Sequence, residues 1–145
     1  MSRWVEHYGI VPEAVRRRLV LENDERVYSV RDVLALHEAC GVPVVLDGLH
    51  HRVHPEDRTF PLAKALTATF ATWGPADGPP KTHFSSQAIG RRAGAHADYI
   101  DEAEFFAFLD TAPDMPFDCM IEAKAKDLAV LRLRAALAAR GTPVG

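Results

Sequence analysis

The stretch Arg18-Leu-Val-Leu-Glu22-Asn23-Asp24 decides the fold of this chain. A short apolar run that halts on a carboxylate and a turn-forming Asn-Asp pair reads as a buried strand, and it delivers Glu22 to the strand's C-terminal tip. The arrangement returns three times: Pro43-Val-Val-Leu-Asp47 ends on Asp47, Lys81-Thr-His83-Phe84 carries His83 near its end, and Phe117-Asp-Cys-Met-Ile-Glu122 ends on Glu122. Helix-length amphipathic segments separate these runs, so strand, ionisable residue, loop and helix follow one another four times. That is the layout of a parallel barrel with its chemistry on one rim. A complete eight-stranded barrel needs about 250 residues; 145 residues hold half of one. The expected fold is α/β, a partial barrel of about four βα units, forming a single domain over residues 1–145.

Working outward, residues 1–17 read as the tail of a helix, with Pro12 in a first-turn position and His7 on the surface. In this architecture each strand precedes its helix, so the front half of the barrel is expected to be missing. After Glu22, Ser29 and Asp32 have the spacing of a capping box, and the helix they open stops before Gly41 with His37 in a structural or surface role. Residues 48–55 read as a loop in which Gly48 turns the backbone and lets Asp47 and His50 converge as ligands. His51 and His54 are left open between supporting a ligand, facing DNA and plain exposure. A helix from about Pro61 to Trp73 turns Leu62, Leu66, Phe70 and Trp73 into the core.

In the third strand Lys81 and His83 alternate by two and share a face, so a lysine and a histidine point into one pocket. A buried lysine is costly unless paired or chemically altered. Ser85, Ser86 and Gln87 follow at the rim; Arg91 and Arg92 are either solvated loop charge or phosphate contacts. Asp101 caps a helix over residues 102–110 rich in phenylalanine, a long helix runs from Ala123 to Arg140 with Leu128, Leu131, Leu133 and Leu137 and a solvated face of basic residues between them, and the tail 141–145 should fray.

The net charge of −3 and the pI near 6.1 show no basic surplus for nucleic acid, although carboxylates gathered around cations do not repel phosphate as free ones do. Cys40 and Cys119 read as buried, inert thiols. No signal-length or membrane-length apolar run occurs, which makes the expected compartment cytoplasmic, with no membrane partner. Glu22, Asp47, His50, His83 and Glu122 together form a mixed oxygen and nitrogen set suited to Mn, Zn or Fe rather than to a calcium cage or a thiolate site. The residues alone point to a multi-metal hydrolytic site, acting on a phosphate or a carbonyl.

Five segments taken in order go further: Leu21-Glu22-Asn23-Asp24, Val45-Leu46-Asp47-Gly48-Leu49-His50-His51, Lys81-Thr82-His83-Phe84-Ser85-Ser86-Gln87, Gly94-Ala95-His96-Ala97-Asp98-Tyr99-Ile100 and Met120-Ile121-Glu122-Ala123-Lys124-Ala125-Lys126-Asp127. With compatible gaps they resemble the C-terminal half of the UV-damage endonuclease family. The resemblance implies half of a TIM barrel related in fold to endonuclease IV and xylose isomerase. It implies divalent metals, manganese first with magnesium or zinc as substitutes, and a damaged double-stranded DNA substrate cut on the 5′ side of cyclobutane dimers, 6-4 photoproducts and abasic sites. It implies metal ligation by Glu22, Asp47, His50, His83, His96 and Glu122, catalytic roles for Glu22 and Lys81, and DNA contacts from Gln87, Arg91 and Arg92; the inward-facing position of Lys81 would permit its carboxylation. Nothing in residues 1–18 matches the family's front half, so two unpaired edges are expected to recruit a second copy or a complementing N-terminal half-barrel. The alternatives are a catalytically incomplete fragment or one chain of a split enzyme, and a sugar isomerase or epimerase, against which the Lys81–Gln87 motif argues.

Overall fold

The computed structural model describes residues 2–142. Four strands, β1 (Leu21–Glu22), β2 (Val44–Asp47), β3 (Lys81–Phe84) and β4 (Asp118–Ile121), form one sheet in the order β1-β2-β3-β4, and every pairing is parallel. Sequential parallel strands require a crossover between each pair. Helices α3 (Val30–Cys40), α5 (Leu62–Phe70) and α6 (Glu102–Thr111) lie in those crossovers, and α7 (Asp127–Arg140) follows β4. The result is an α/β fold with a four-stranded parallel sheet.

Register sorts the strand residues onto two faces. Leu46 aligns with Thr82, and Phe84 with Ile121, on the helix side. There Leu46 and Phe84 join Val30, Leu66, Phe70, Phe105, Phe108, Leu133 and Leu137 in the core. Phe84 meets the Phe105 ring edge-on at 4.9 Å and the Phe108 ring at 5.0 Å; burying one such ring contributes about 1.5–3 kcal/mol. The other face carries Glu22 beside Val45, Asp47 beside His83, and Lys81 beside Asp118. Strand β2 is buried along its whole length. Its entry point is held from α5's C-terminal side, where Thr72 Oγ1 accepts from Val44 N at 2.9 Å and Trp73 Nε1 donates to Val44 O at 2.8 Å.

The expected capping box opens α3: Ser29 accepts from Asp32 N while the Asp32 carboxylate accepts from Ser29 N, and Gly41 closes the helix at φ 75°. The buried Asp57 adds a second cap, accepting Val30 N at 3.1 Å. His37 is structural, its Nδ1 lying 2.8 Å from Val42 O.

Several sequence expectations need correction. The N-terminal helix is two helices, α1 (Ser2–Ile10) and α2 (Glu13–Arg16), and Pro12 caps the second rather than occupying its first turn. Residues 48–53 form a helix, α4 (Gly48–Val53), instead of a loop, because Asp47 caps it by accepting from His50 N at 2.8 Å. A 3₁₀ turn, Pro55–Thr59, then packs His51 and His54 inward. His51 Nε2 binds Phe60 O at 2.7 Å and His54 Nδ1 accepts from Glu56 N at 3.2 Å, so neither faces DNA or solvent. The last helix starts at Asp127, after a turn in which Lys126 takes φ 52°, and buries Ala129, Leu133 and Leu137 while Leu128 and Leu131 face out. Cys40 and Cys119 are half-buried free thiols; burial, then the Asp47 charge, pushes the Cys119 thiol up to about 12, which keeps it inert. The expected fraying of the tail falls mainly on residues 143–145, outside the described residues. Among the described residues no helix is long and apolar enough to cross a membrane.

Candidate metal centre

The C-terminal ends of four parallel strands lie at one rim, and their carboxylates and imidazoles converge there. Glu22 ends β1, Asp47 ends β2 in register with His83, and Glu122 immediately follows β4, its N–H extending the ladder to Phe84 O at 2.9 Å. His50 comes from α4, and His96 from the return limb of the loop after β3. Two groups result in which one ligating atom from each residue lies within 4.8 Å of the others: Asp47, His50 and His96; and Glu22, Asp47, His83 and Glu122. Together they contain all six donors read from the sequence, and Asp47 belongs to both.

Asp47 is fully buried, and its Oδ2 has no hydrogen-bond partner although Oδ1 caps α4. Burial raises its pKa above the ordinary carboxylate value, and the charges of Glu22 and Glu122 add to that; the His50 N–H bond and the His50 charge oppose it. Three carboxylates around an unpartnered, desolvated oxygen fit a divalent cation, which supplies the missing charge and the missing partner. The nitrogen and oxygen donors, without thiolate, fit the borderline metals rather than a soft one.

The histidines are held by defined partners. His83 Nδ1 donates to Glu22 Oε1 at 3.0 Å and lies 3.5 Å from Glu122 Oε1. The Glu22 hydrogen bond raises the His83 pKa; burial works the other way, and the charges of Glu22, Glu122 and Asp47 reinforce the rise. His50 Nδ1 lies 3.1 Å from Asn23 O, which sets Nδ1 as the donor and leaves Nε2 as the nitrogen with a free lone pair. His96 Nε2 stands 3.7 Å from Glu122 Oε2.

Two residues at the site were read from the sequence only as turn residues or passed over. Asn23 is buried and closes on both backbone groups of Asp47: Oδ1 accepts Asp47 N at 2.9 Å and Nδ2 donates to Asp47 O at 3.2 Å. It thereby continues the β1-β2 ladder with a side chain. Glu25 accepts from Arg92 Nη1 at 3.0 Å and lies 3.9 Å from His50 Nε2. Its pKa is lowered by its own backbone N–H and by Arg92. The acid-rich run 22–25 was the available signal for Glu25; for Asn23 there was none without the β1-β2 register.

Lys81 shares the donor face with His83, as alternation predicts, but its ammonium is engaged by Asp118 Oδ2 and lies 5.5 Å over the Trp73 ring. The unmodified ammonium is thus paired with a carboxylate on the neighbouring strand. The amide of Gln87 is wholly engaged with backbone: Nε2 reaches Ala88 O, Arg92 O and Ala95 O, and Oε1 accepts Gly94 N. With the Arg92 guanidinium on Glu25, only Arg91 of the three expected DNA contacts has a side chain without a hydrogen-bond or ion-pair partner among the described residues.

Against this geometry, the model of the family described as UV-endonuclease UvdE matches residues 1–142. A UV DNA damage endonuclease from Bacillus cereus (strain G9842) is 35% identical over 135 residues, covering 92% of this chain and 42% of that protein. One from Halalkalibacterium halodurans is 36% identical over 141 residues, covering 95% and 43%. The crystal structure of SacUVDE superposes with a TM-score of 0.87 at 32% identity over 98% of this chain and 47% of its own. The chain thus spans less than half the length of the relatives it matches.

Proposed function

The chain belongs to the UV-endonuclease UvdE family, and from that premise we propose that it is a metal-dependent DNA-repair endonuclease. It cuts the backbone of double-stranded DNA on the 5′ side of cyclobutane dimers, 6-4 photoproducts and abasic sites. The observation that carries this reading is the convergence of six donors from four strand ends, one helix and one loop into two groups that share the buried Asp47. Glu22, Asp47, His50, His83, His96 and Glu122 hold divalent metal ions, manganese first. Such ions supply Lewis acidity, making a water nucleophilic at neutral pH and offsetting charge on the phosphodiester.

The chain's own residues do the rest. Asp47 offers Oδ2 from a desolvated position, where its charge acts at full strength. Asn23 fixes the backbone of Asp47 and the tautomer of His50. Glu22 and Glu122 flank His83 Nδ1 at 3.0 and 3.5 Å, so a cation held there would take this nitrogen in place of its proton. Of the two residues read as catalytic, Glu22 acts as a donor, and Lys81 stands on the same strand face as His83 with its ammonium paired to Asp118.

The sheet is read as one wall of a TIM barrel. Val20 is 43% and Met120 39% exposed near its outer strands, which bear the unpaired edges. A second copy or a complementing half-barrel completes the wall, and light scattering of the purified chain separates the two. The test of activity is nicking of UV-irradiated supercoiled plasmid in manganese, compared with a Glu22→Ala, His83→Ala double variant. Nicking that rises with UV dose and vanishes in the double variant is expected; folded protein that leaves irradiated plasmid intact would overturn the reading.

A further inference from the structure

Between Gln87 and His96 the chain leaves the rim, turns and returns to a metal donor, and of its tip only Arg91, an expected DNA contact, has been given a part. Its two limbs are zipped together: Gln87 pairs with His96 across an antiparallel bridge, Ala88 N donates to Ala95 O at 2.7 Å, and Ala97 N donates to Ser86 O at 2.8 Å. The Gln87 amide fills the interior. Gly90 and Gly94 take φ 68° and 79°, left-handed values that suit glycine. The base is fastened to the neighbouring loop through Arg92 and Glu25, and a Cβ at Gly94 would stand 2.9 Å from Glu25 Cγ. The polar groups inside this hairpin are therefore used to fix its shape and its place beside His96.

At the apex stand Ile89, which is 100% exposed, and Arg91, whose guanidinium has no partner among the described residues. A lone exposed apolar side chain is ordinary at protein surfaces. This one differs in being a β-branched, rotationally stiff side chain on a braced hairpin, with a free cation two residues on and a candidate metal donor on the return limb. Apolar side chains such as isoleucine enter base steps of bent duplexes, and unstacking costs least where a base is damaged or unpaired. Guanidinium groups meet phosphate in two-pronged hydrogen bonds.

Resting on the endonuclease reading, we propose that this hairpin is a DNA finger: Ile89 packs against the bases at the lesion, and Arg91 grips the backbone beside it. Ile89 reads damage and Arg91 contributes affinity without selectivity.

The experiment is fluorescence anisotropy of the full chain, in manganese, on a duplex with one abasic-site analogue and on its undamaged counterpart, with 2-aminopurine placed beside the lesion. Ile89→Ala should weaken lesion binding on the order of tenfold, the scale of one lost contact with a base. It should leave undamaged binding and the melting temperature unchanged and abolish the 2-aminopurine rise, while Ile89→Leu retains both. Arg91→Ala should weaken both duplexes alike and lower the slope of log affinity against log salt by about 0.9. Wild-type affinity and fluorescence in Ile89→Ala would overturn the finger and leave the endonuclease reading intact. A wild-type chain that binds neither duplex would sink both.

Discussion

Replacing Asn23 with alanine isolates the side chain that joins β1 to the centre of the site. The substitution removes two hydrogen bonds, of 2.9 and 3.2 Å, and strands the N–H and C=O of Asp47, a residue with 0% exposure. Each buried group left unsatisfied costs about 1–3 kcal/mol, and partial relaxation around the smaller side chain puts the sum at about 2–4 kcal/mol. For a chain of this size, a loss of about 3 kcal/mol lowers Tm by about 6–12 °C. The same change should blunt the response to metal, because it releases the backbone that holds the shared Asp47 carboxylate in place, although alanine keeps the residue-23 carbonyl that meets His50. Manganese at about a hundredfold above its Kd stabilises the wild type by about 2.7 kcal/mol. Loss of such an outer support weakens metal affinity about 10–100-fold, which reduces that gain to about 0.4–1.4 kcal/mol. Circular dichroism melts with and without manganese measure both numbers in one experiment. Asn23→Asp is the companion: it keeps the acceptor for Asp47 N but turns an oxygen toward Asp47 O and adds a carboxylate. If Asn23→Ala melts within about 2 °C of wild type and gains as much from manganese, on the scale used here, the ladder extension has been misjudged.

Two further outcomes follow from the electrostatics. The raised Asp47 pKa means that its ionised form opposes folding of the metal-free protein above the ordinary carboxylate range, so Asp47→Asn should melt higher than wild type in chelator and gain nothing from manganese; a lower Tm in chelator would contradict the charge argument. For His83 the sign is the usual one for a histidine with an acidic partner: its stabilisation of the metal-free protein is full below the unfolded imidazole pKa and fades as pH rises through the elevated folded value. A cation must displace that proton, so manganese affinity measured by isothermal titration should climb as pH passes through the elevated pKa, and His83→Ala should flatten the climb.

The strands were legible because a short branched run ending on an ionisable residue says both where a strand lies and what it delivers, and Glu22, Asp47, His83 and Glu122 all reach one rim on that signal. Helix α3 was legible from Ser29, Asp32 and Gly41, whose cap chemistry is local. What stayed hidden depends on partners distant in sequence. The partner of Lys81 is not visible until the β3-β4 register sets Asp118 beside it. Asn23 reads as a turn residue until β1 docks on β2. The histidine-rich stretch reads as loop because its helix is started by the Asp47 side chain, not by a propensity the six residues carry, and His51 and His54 are buried only once the following 3₁₀ turn folds over them.

Strand β2, covered along its whole length and clasped at Val44 by Thr72 and Trp73 and at Asp47 by Asn23, divides the donors by how readily their supports open. Segments with few buried contacts open locally at small free energy, while a fully packed strand opens only with the whole molecule. Glu22 and Glu122 sit on the lightly covered flanks, and Asp47 sits on the strand that opens last. Fraying at either edge loosens a ligand without dismantling the residue that both donor groups share. A cation held there would therefore leave and return through the flanks on the timescale of edge fluctuations, while the centre that receives it would keep its shape.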